Sequence, residues 1–164
     1  MKYFSYGSNM SIKRISARVP SAVFDTVAIL NGHNLKFRKI SRRDTSAKCD
    51  IAESSNETDI VWGVVFEIDH SGKAALDRVE GLGYGYEQKQ VELVGTDGAT
   101  FSAFTYYATD IDENLKPYTW YVEHVLRGAR ENDLPAGYIA FIEEVGSIQD
   151  PDRDRHEQEL SIYR

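Results

Sequence analysis

The chain has little sulfur: Cys49 is its one cysteine in 164 residues, so an intrachain disulfide is excluded and a reducing compartment, the cytoplasm, is expected. Long apolar runs are missing too. None approaches the roughly 20 residues that a membrane-spanning helix needs, so no membrane partner is expected. Met1 and Lys2 lead straight into a strand pattern, with no secretory signal to remove. The four histidines (His33, His70, His124 and His156) lack metal-ligand spacing, and neither a metal nor another cofactor is expected. Positive charge is in deficit, with 19 Lys and Arg against 26 Asp and Glu, and the net charge of −7 argues against nucleic acid as a partner. There is no internal repeat and no linker. One domain over residues 1–149 is expected, followed by a charged tail over 150–164. Leu160, Ile162 and Tyr163 are the tail residues able to dock, and removing residues 152–164 is expected to leave the protein folded.

At 41% apolar and 27% charged residues, the chain can build a core of ordinary size. Tyr3, Phe4 and Tyr6 mark a buried first strand, followed by a turn at Gly7-Ser8-Asn9 and a helix near Met10–Ser16 with Ile12 and Ile15 three apart. Val23 to Leu30 is rich in β-branched residues. Asn31-Gly32 then predicts a type I′ hairpin into a strand alternating Leu35 and Phe37 with Lys36 and Arg38. Residues 41–58 read as two polar loops around a short strand, Cys49–Ala52. Ile60–Ile68 is nearly continuously apolar and predicts a central strand covered on both faces, where Gly63 permits close approach.

Ser71 is placed to cap a short helix with Ala75, Leu76 and Val79 inward and Gly81 as its left-handed stop. Residues 86–94 and 100–108 predict a hairpin around Asp97-Gly98. After Pro117, the residues Tyr118, Tyr121, Val122, Val125, Leu126 and Ala129 fall on one helical face, with Gly128 inside it. Pro135 opens a last helix with Tyr138, Ile139, Ile142 and Val145 inward, stopped at Gly146. Hairpins followed by helices make the fold class α+β, with a small curled mixed sheet and flanking helices.

Three features could carry chemistry. A strand, a glycine turn and a helix start can aim successive N–H groups at an anion, although the same sequence serves as an ordinary connection. Lys36, Arg38, Lys39, Arg42, Arg43 and Lys48 stand against the single acid Asp44. They read either as a solvated sheet edge or as a basic wall that draws an anionic small molecule. Glu80 falls in the last turn of its helix, where unpaired carbonyls disfavour a carboxylate by roughly 0.3–1 kcal/mol. It is a tolerated surface residue or a proton-transfer group.

Tyr6-Gly7-Ser8-Asn9-Met10 after an aromatic strand resembles the signature of the γ-glutamylcyclotransferase family. The resemblance continues through Val61-Trp62-Gly63-Val64-Val65-Phe66-Glu67-Ile68, Leu76-Asp77-Arg78-Val79-Glu80-Gly81 and Gly128-Ala129-Arg130-Glu131-Asn132-Asp133-Leu134-Pro135, in the family's order. It implies a barrel closed from the curled sheet and cyclisation of a γ-glutamyl amide to 5-oxoproline with release of an amine, a reaction of glutathione metabolism. Glu80 would be the catalytic acid and base. Tyr3, Phe4, Ser5, Tyr6, Gly7, Ser8 and Asn9 would hold the small-molecule γ-glutamyl substrate. Of two tyrosines after the glutamate, Tyr84 and Tyr86, the second is preferred for the site. Tyr121 matches a family tyrosine but equally suits core packing. Cys49 reads as a small buried hydrophobe. Alternative readings keep the reaction on a specialised amide, such as an acylated carrier or isopeptide, or keep only the binding. Assembly as a homodimer stays open.

Overall fold

Seven strands and five helices account for most of residues 1–164, all of which are described by the computed structural model. The order is β1 (Lys2–Ser5), α1 (Ile12–Arg18), β2 (Val23–Asn31), β3 (His33–Ile40), β4 (Ala47–Glu53), β5 (Ile60–Glu67), α2 (His70–Glu80), β6 (Tyr86–Gly95), β7 (Thr100–Ala108), α3 (Thr119–Glu131), α4 (Ala136–Glu143) and α5 (Arg153–Leu160). Five strands close a barrel in the order β1-β5-β2-β6-β7, and β3 and β4 form a separate two-stranded sheet. Closure rests on a parallel contact between β7 and β1, where Tyr3 lies opposite Phe104.

β5 is the central strand expected from its apolar run, flanked antiparallel by β1 and β2. Val61, Val64, Val65 and Phe66 are buried in it. Gly63 lies under the Phe4 ring, and a Cβ there would come within 2.5 Å of that ring and of the Ser5 carbonyl. The hairpin around Asp97-Gly98 forms as the sequence predicts, joining β6 to β7.

The hairpin predicted at Asn31-Gly32 does not form. Gly32 has the positive φ of +65° that the dipeptide favours, but its turn is a corner between two sheets. β2 joins β5 and β6 in the barrel, whereas β3 pairs with β4. The Asp59 carbonyl accepts from both Gly32 N–H and His33 N–H, holding the corner against the start of β5. Side-chain chemistry decides the partners. Ala28 and Leu30 of β2 are buried in the barrel core, whereas β3 alternates Leu35 with charged residues that require an outer position.

Two details of α2 also differ. Its cap is Asp69, which accepts from Gly72 N–H at 2.6 Å, and Ser71 lies inside the helix donating its hydroxyl to the same carboxylate. Val79 is 44% exposed, and Leu76 anchors the helix. Gly81, with φ +70°, supplies the expected left-handed stop.

α3 buries the predicted stripe and more, since Trp120 and His124 are enclosed as well. Its second side is covered by the C-terminal residues. Residues 150–164 dock there, Leu160 and Tyr163 among them as the sequence allows. Asp150, only 5% exposed, accepts from Trp120 Nε1 at 2.8 Å and from Arg155 Nε at 2.7 Å. Asp152 caps α5, and Tyr163 reaches His124 Nδ1 at 2.7 Å. The segment docks by polar groups, which is why it shows no long apolar stripe.

Candidate active site

The first turn of the chain runs between the open end of the barrel and α3. Alternation along β1 sends Tyr3 and Ser5 into a small inner cavity of about 30 Å³, while Phe4 points the other way onto Gly63. Of the predicted β1 and turn residues, Tyr3, Ser5, Tyr6, Gly7, Ser8 and Asn9 line this cavity, and Phe4 does not. Its other walls are Cys49, Glu80, Tyr86, Tyr106 and Tyr121. Gly7 has φ −120°, which any residue can adopt. Space is what requires glycine, because a Cβ would lie 3.1 Å from Cys49 Cβ and 3.4 Å from the Tyr121 hydroxyl.

After Gly7 the chain makes a single 3-10 turn, Ser8–Met10, stacked on α3 where Gly128 leaves room for it. The first amides of such a turn have no helical carbonyl to reach, so those of Ser8 and Asn9 are free to serve the cavity. Ser5 Oγ is buried without a hydrogen-bond partner. A buried hydroxyl in that state costs about 1–3 kcal/mol unless something bonds it.

α2 carries Glu80 to the cavity from the opposite side. Asn9 Nδ2 donates to Glu80 Oε1 at 2.7 Å, and Arg18 donates to Asn9 Oδ1 at 2.8 Å. Arg18 also lies 4.0 Å from Glu80 Oε1. Because guanidinium is donor-only, it fixes the Asn9 amide with its NH₂ group towards Glu80. The carboxylate side chain is 16% exposed, open to the cavity but shielded from bulk water.

Buried tyrosines complete the walls. Tyr86 donates to the Cys49 carbonyl at 2.6 Å, and Tyr121 accepts from Cys49 N–H at 3.0 Å, leaving its own proton available. Tyr6 donates to the Tyr106 carbonyl at 2.7 Å, and Tyr106 donates to Asp77 Oδ1 at 2.6 Å. Burial raises the pKa of Tyr3, Tyr6, Tyr86 and Tyr121, so all four are neutral hydroxyls. Burial likewise pushes the Cys49 thiol up to about 12, making it a packing residue and no nucleophile. Tyr84 is 76% exposed and lies outside the inner cavity.

The inner cavity opens into an outer cleft of about 270 Å³ that shares Ser8, Glu80, Tyr86 and Tyr121 as lining. Its walls bring Lys39, Arg42, Arg43 and Lys48 of the basic segment together with Arg14 and Arg18. Part of that segment therefore faces the site. Lys36 does not line it, and Arg38 is engaged by Asp50 at 2.8 Å and Glu113 at 2.5 Å. No group of three or more His, Cys, Asp or Glu is arranged to hold a metal ion.

Sequence reasoning missed Arg14, Arg18 and Tyr106. Arg14 and Arg18 are four apart on α1, on the helix face that also carries buried Ile15, and that spacing was the available signal. Tyr106 gave none, since it alternates inward like any barrel residue.

The match to a family model, described as the AIG2-like family, covers residues 60–142. A curated relative, gamma-glutamylcyclotransferase of Bos taurus, is 36% identical over 141 residues, covering 83% of this chain and 73% of the relative. A solved gamma-glutamyl cyclotransferase superposes with a TM-score of 0.82 at 28% identity, covering 96% of this chain and 98% of that one. A crystal structure of a human protein superposes with a TM-score of 0.87 at 29% identity, over 99% and 98% of the two chains.

Proposed function

The chain belongs to the γ-glutamylcyclotransferase, AIG2-like family, and from that premise we propose that it is an enzyme converting a γ-glutamyl amide to 5-oxoproline and a free amine, with Glu80 as acid and base. The observation that carries this reading is Glu80 itself: a shielded carboxylate at a helix C-terminus, held at 2.7 Å by Asn9 of the Tyr-Gly-Ser-Asn turn and facing the small inner cavity.

The glutamyl end lies where the inner cavity meets the outer cleft, with its α-carboxylate directed inward to the turn amides of Ser8 and Asn9 and the free Ser5 hydroxyl. Glu80 removes a proton from the α-ammonium. The α-nitrogen attacks the γ-carbonyl carbon, a bond forms between them, and the carbonyl oxygen becomes an oxyanion bonded by the free Tyr121 proton. Two protons leave the α-nitrogen in all, and Glu80 carries each in turn to the leaving nitrogen. The bond from the γ-carbon to that nitrogen breaks, and the oxyanion collapses to the lactam carbonyl. Because attack is intramolecular, folding the substrate supplies much of the rate. Asn9, held in turn by Arg18, positions the carboxylate for the first proton removal.

No helix is long and apolar enough to cross a membrane. With its one thiol buried, the protein is proposed to work in the cytoplasm, in the turnover of γ-glutamyl compounds that includes glutathione metabolism.

The test is Glu80→Gln, which keeps shape and removes proton transfer. Turnover should fall at least about 100-fold while calorimetric binding of a γ-glutamyl dipeptide persists. Wild-type turnover by this variant would sink the mechanism. Binding without 5-oxoproline release by either protein would make it a binding module.

A further inference from the structure

The outer cleft, where the departing amine must lie, is far more cationic than the chain around it. Arg14, Arg18, Lys39, Arg42, Arg43 and Lys48 line it against Asp44, Glu80 and Glu159, six cations to three carboxylates in a protein of net charge −7. Several of these charges are already matched. Arg14 pairs with Glu159 at 2.8 Å, Lys48 with Asp44 at 2.9 Å and Arg42 with Asp110 at 3.2 Å. Arg18 is spent on Asn9 and Glu80. Lys39 and Arg43 remain, with no carboxylate within ion-pair distance of either.

Their places differ in a useful way. Lys39 Nζ sits 4.8 Å over the ring of Tyr86, which lines both chambers, so this cation stands where the two chambers meet. Burial lowers the Lys39 pKa, outweighing the pull of Glu80, Asp110 and Asp44, none of which comes within ion-pair distance. Arg43 is exposed, at the outer rim. An amino-acid leaving group places its α-carboxylate next to the amide nitrogen, in reach of the junction cation. A side-chain carboxylate extends further out, towards the rim.

We propose that the preferred leaving group is itself acidic, an amino acid with a second carboxylate on its side chain, so that the substrate class is γ-glutamyl-glutamate or γ-glutamyl-aspartate. A neutral amino acid leaves the rim cation without a partner, and a simple amine leaves both. The inference rests on the cyclotransferase reading of the same site, but its charge argument applies to binding as well as to turnover.

The experiment compares γ-glutamyl-glutamate with γ-glutamyl-glutamine, nearly isosteric and different by one charge. Binding is measured by calorimetry on Glu80→Gln, and 5-oxoproline release is measured on the wild type. The glutamate compound should be favoured about two- to fivefold in both at low salt, the size expected for one exposed ion pair. The ratio should shrink towards one in about 1 M salt, where charges are screened beyond about 3 Å. In the double variant Lys39→Gln/Arg43→Gln the ratio should also approach one. Equal binding of the two compounds, or preference for glutamine, overturns the inference and leaves the cyclotransferase reading standing. A salt-sensitive binding preference without any 5-oxoproline release supports the acidic group and sinks the cyclotransferase reading.

Discussion

Replacing Gly128 by alanine sets two effects of opposite sign against each other. Inside a helix this change alone should stabilise by about 1 kcal/mol, because glycine is the poorer helix former. Here the new methyl would lie 2.5 Å from Met10 Cβ, 2.5 Å from Ser11 N and 2.7 Å from the Met10 carbonyl carbon. Carbon atoms in good contact are about 3.5–4.0 Å apart, so the Met10–Ser11 backbone must retreat by about 1 Å. Overpacking against backbone costs roughly 1–3 kcal/mol, so net destabilisation of up to about 2 kcal/mol is expected. The displaced segment directly follows Ser8 and Asn9, so the turn that holds Glu80 moves with it. Misplacement of that size can cost on the order of 100-fold in rate. Urea unfolding and 5-oxoproline release on the same preparations measure both quantities. Gly137→Ala is the control, since it lies in α4 with nothing within 4 Å of the added methyl and should gain stability without loss of turnover. A Gly128→Ala protein more stable than wild type, with unchanged turnover, would refute the close-packing argument.

Three further outcomes are expected. Burial drives His124 down to about 4, and Arg14 donates to its Nε2, so it folds neutral. The unfolded chain takes up this proton near pH 6.5, so its contribution is complete above that pH and is lost as pH falls towards 4, by about 3 kcal/mol; His124→Gln should flatten stability over that window, and an unchanged slope would exclude His124 as the source. Deleting residues 152–164 removes Arg155 from buried Asp150, Glu159 from Arg14 and Tyr163 from His124, and thermal unfolding should show a marked fall in Tm, whereas an unchanged Tm would mean the segment contributes nothing. Asn9→Ala removes the hydrogen bond that positions Glu80, so kcat should fall; a change in KM alone would assign Asn9 to substrate contact.

The barrel strands were legible because their apolar runs and turn residues agree. Ile60–Glu67 is apolar on both faces, and Asp97-Gly98 joins two alternating strands. Asn31-Gly32 misled because turn chemistry specifies a backbone corner and does not say which strand lies beyond it. Register competition decided that, and the apolar run of β5 took β2. The glutamate and the turn could be named from short motifs. Arg18 could not, because its role depends on a hydrogen bond to an amide whose direction only packing fixes. The C-terminal residues were only partly legible, through Leu160 and Tyr163, for a related reason. Hydrophobic periodicity is blind to a helix that docks through Asp150, Glu159 and Tyr163.

The strand that carries the site has only distant partners, with Phe4 opposite Val65 and Tyr3 opposite Phe104. It leaves the ribosome long before either partner strand and is among the last able to pair. Until β5 and β7 have been made, Tyr3, Phe4 and Tyr6 have no partners on an unpaired strand, and such contacts across long stretches of chain form slowly. The pocket therefore comes into being as the final act of closure. A molecule stalled before that step would be both inactive and sticky, which ties loss of activity in a slow-folding variant to loss of solubility.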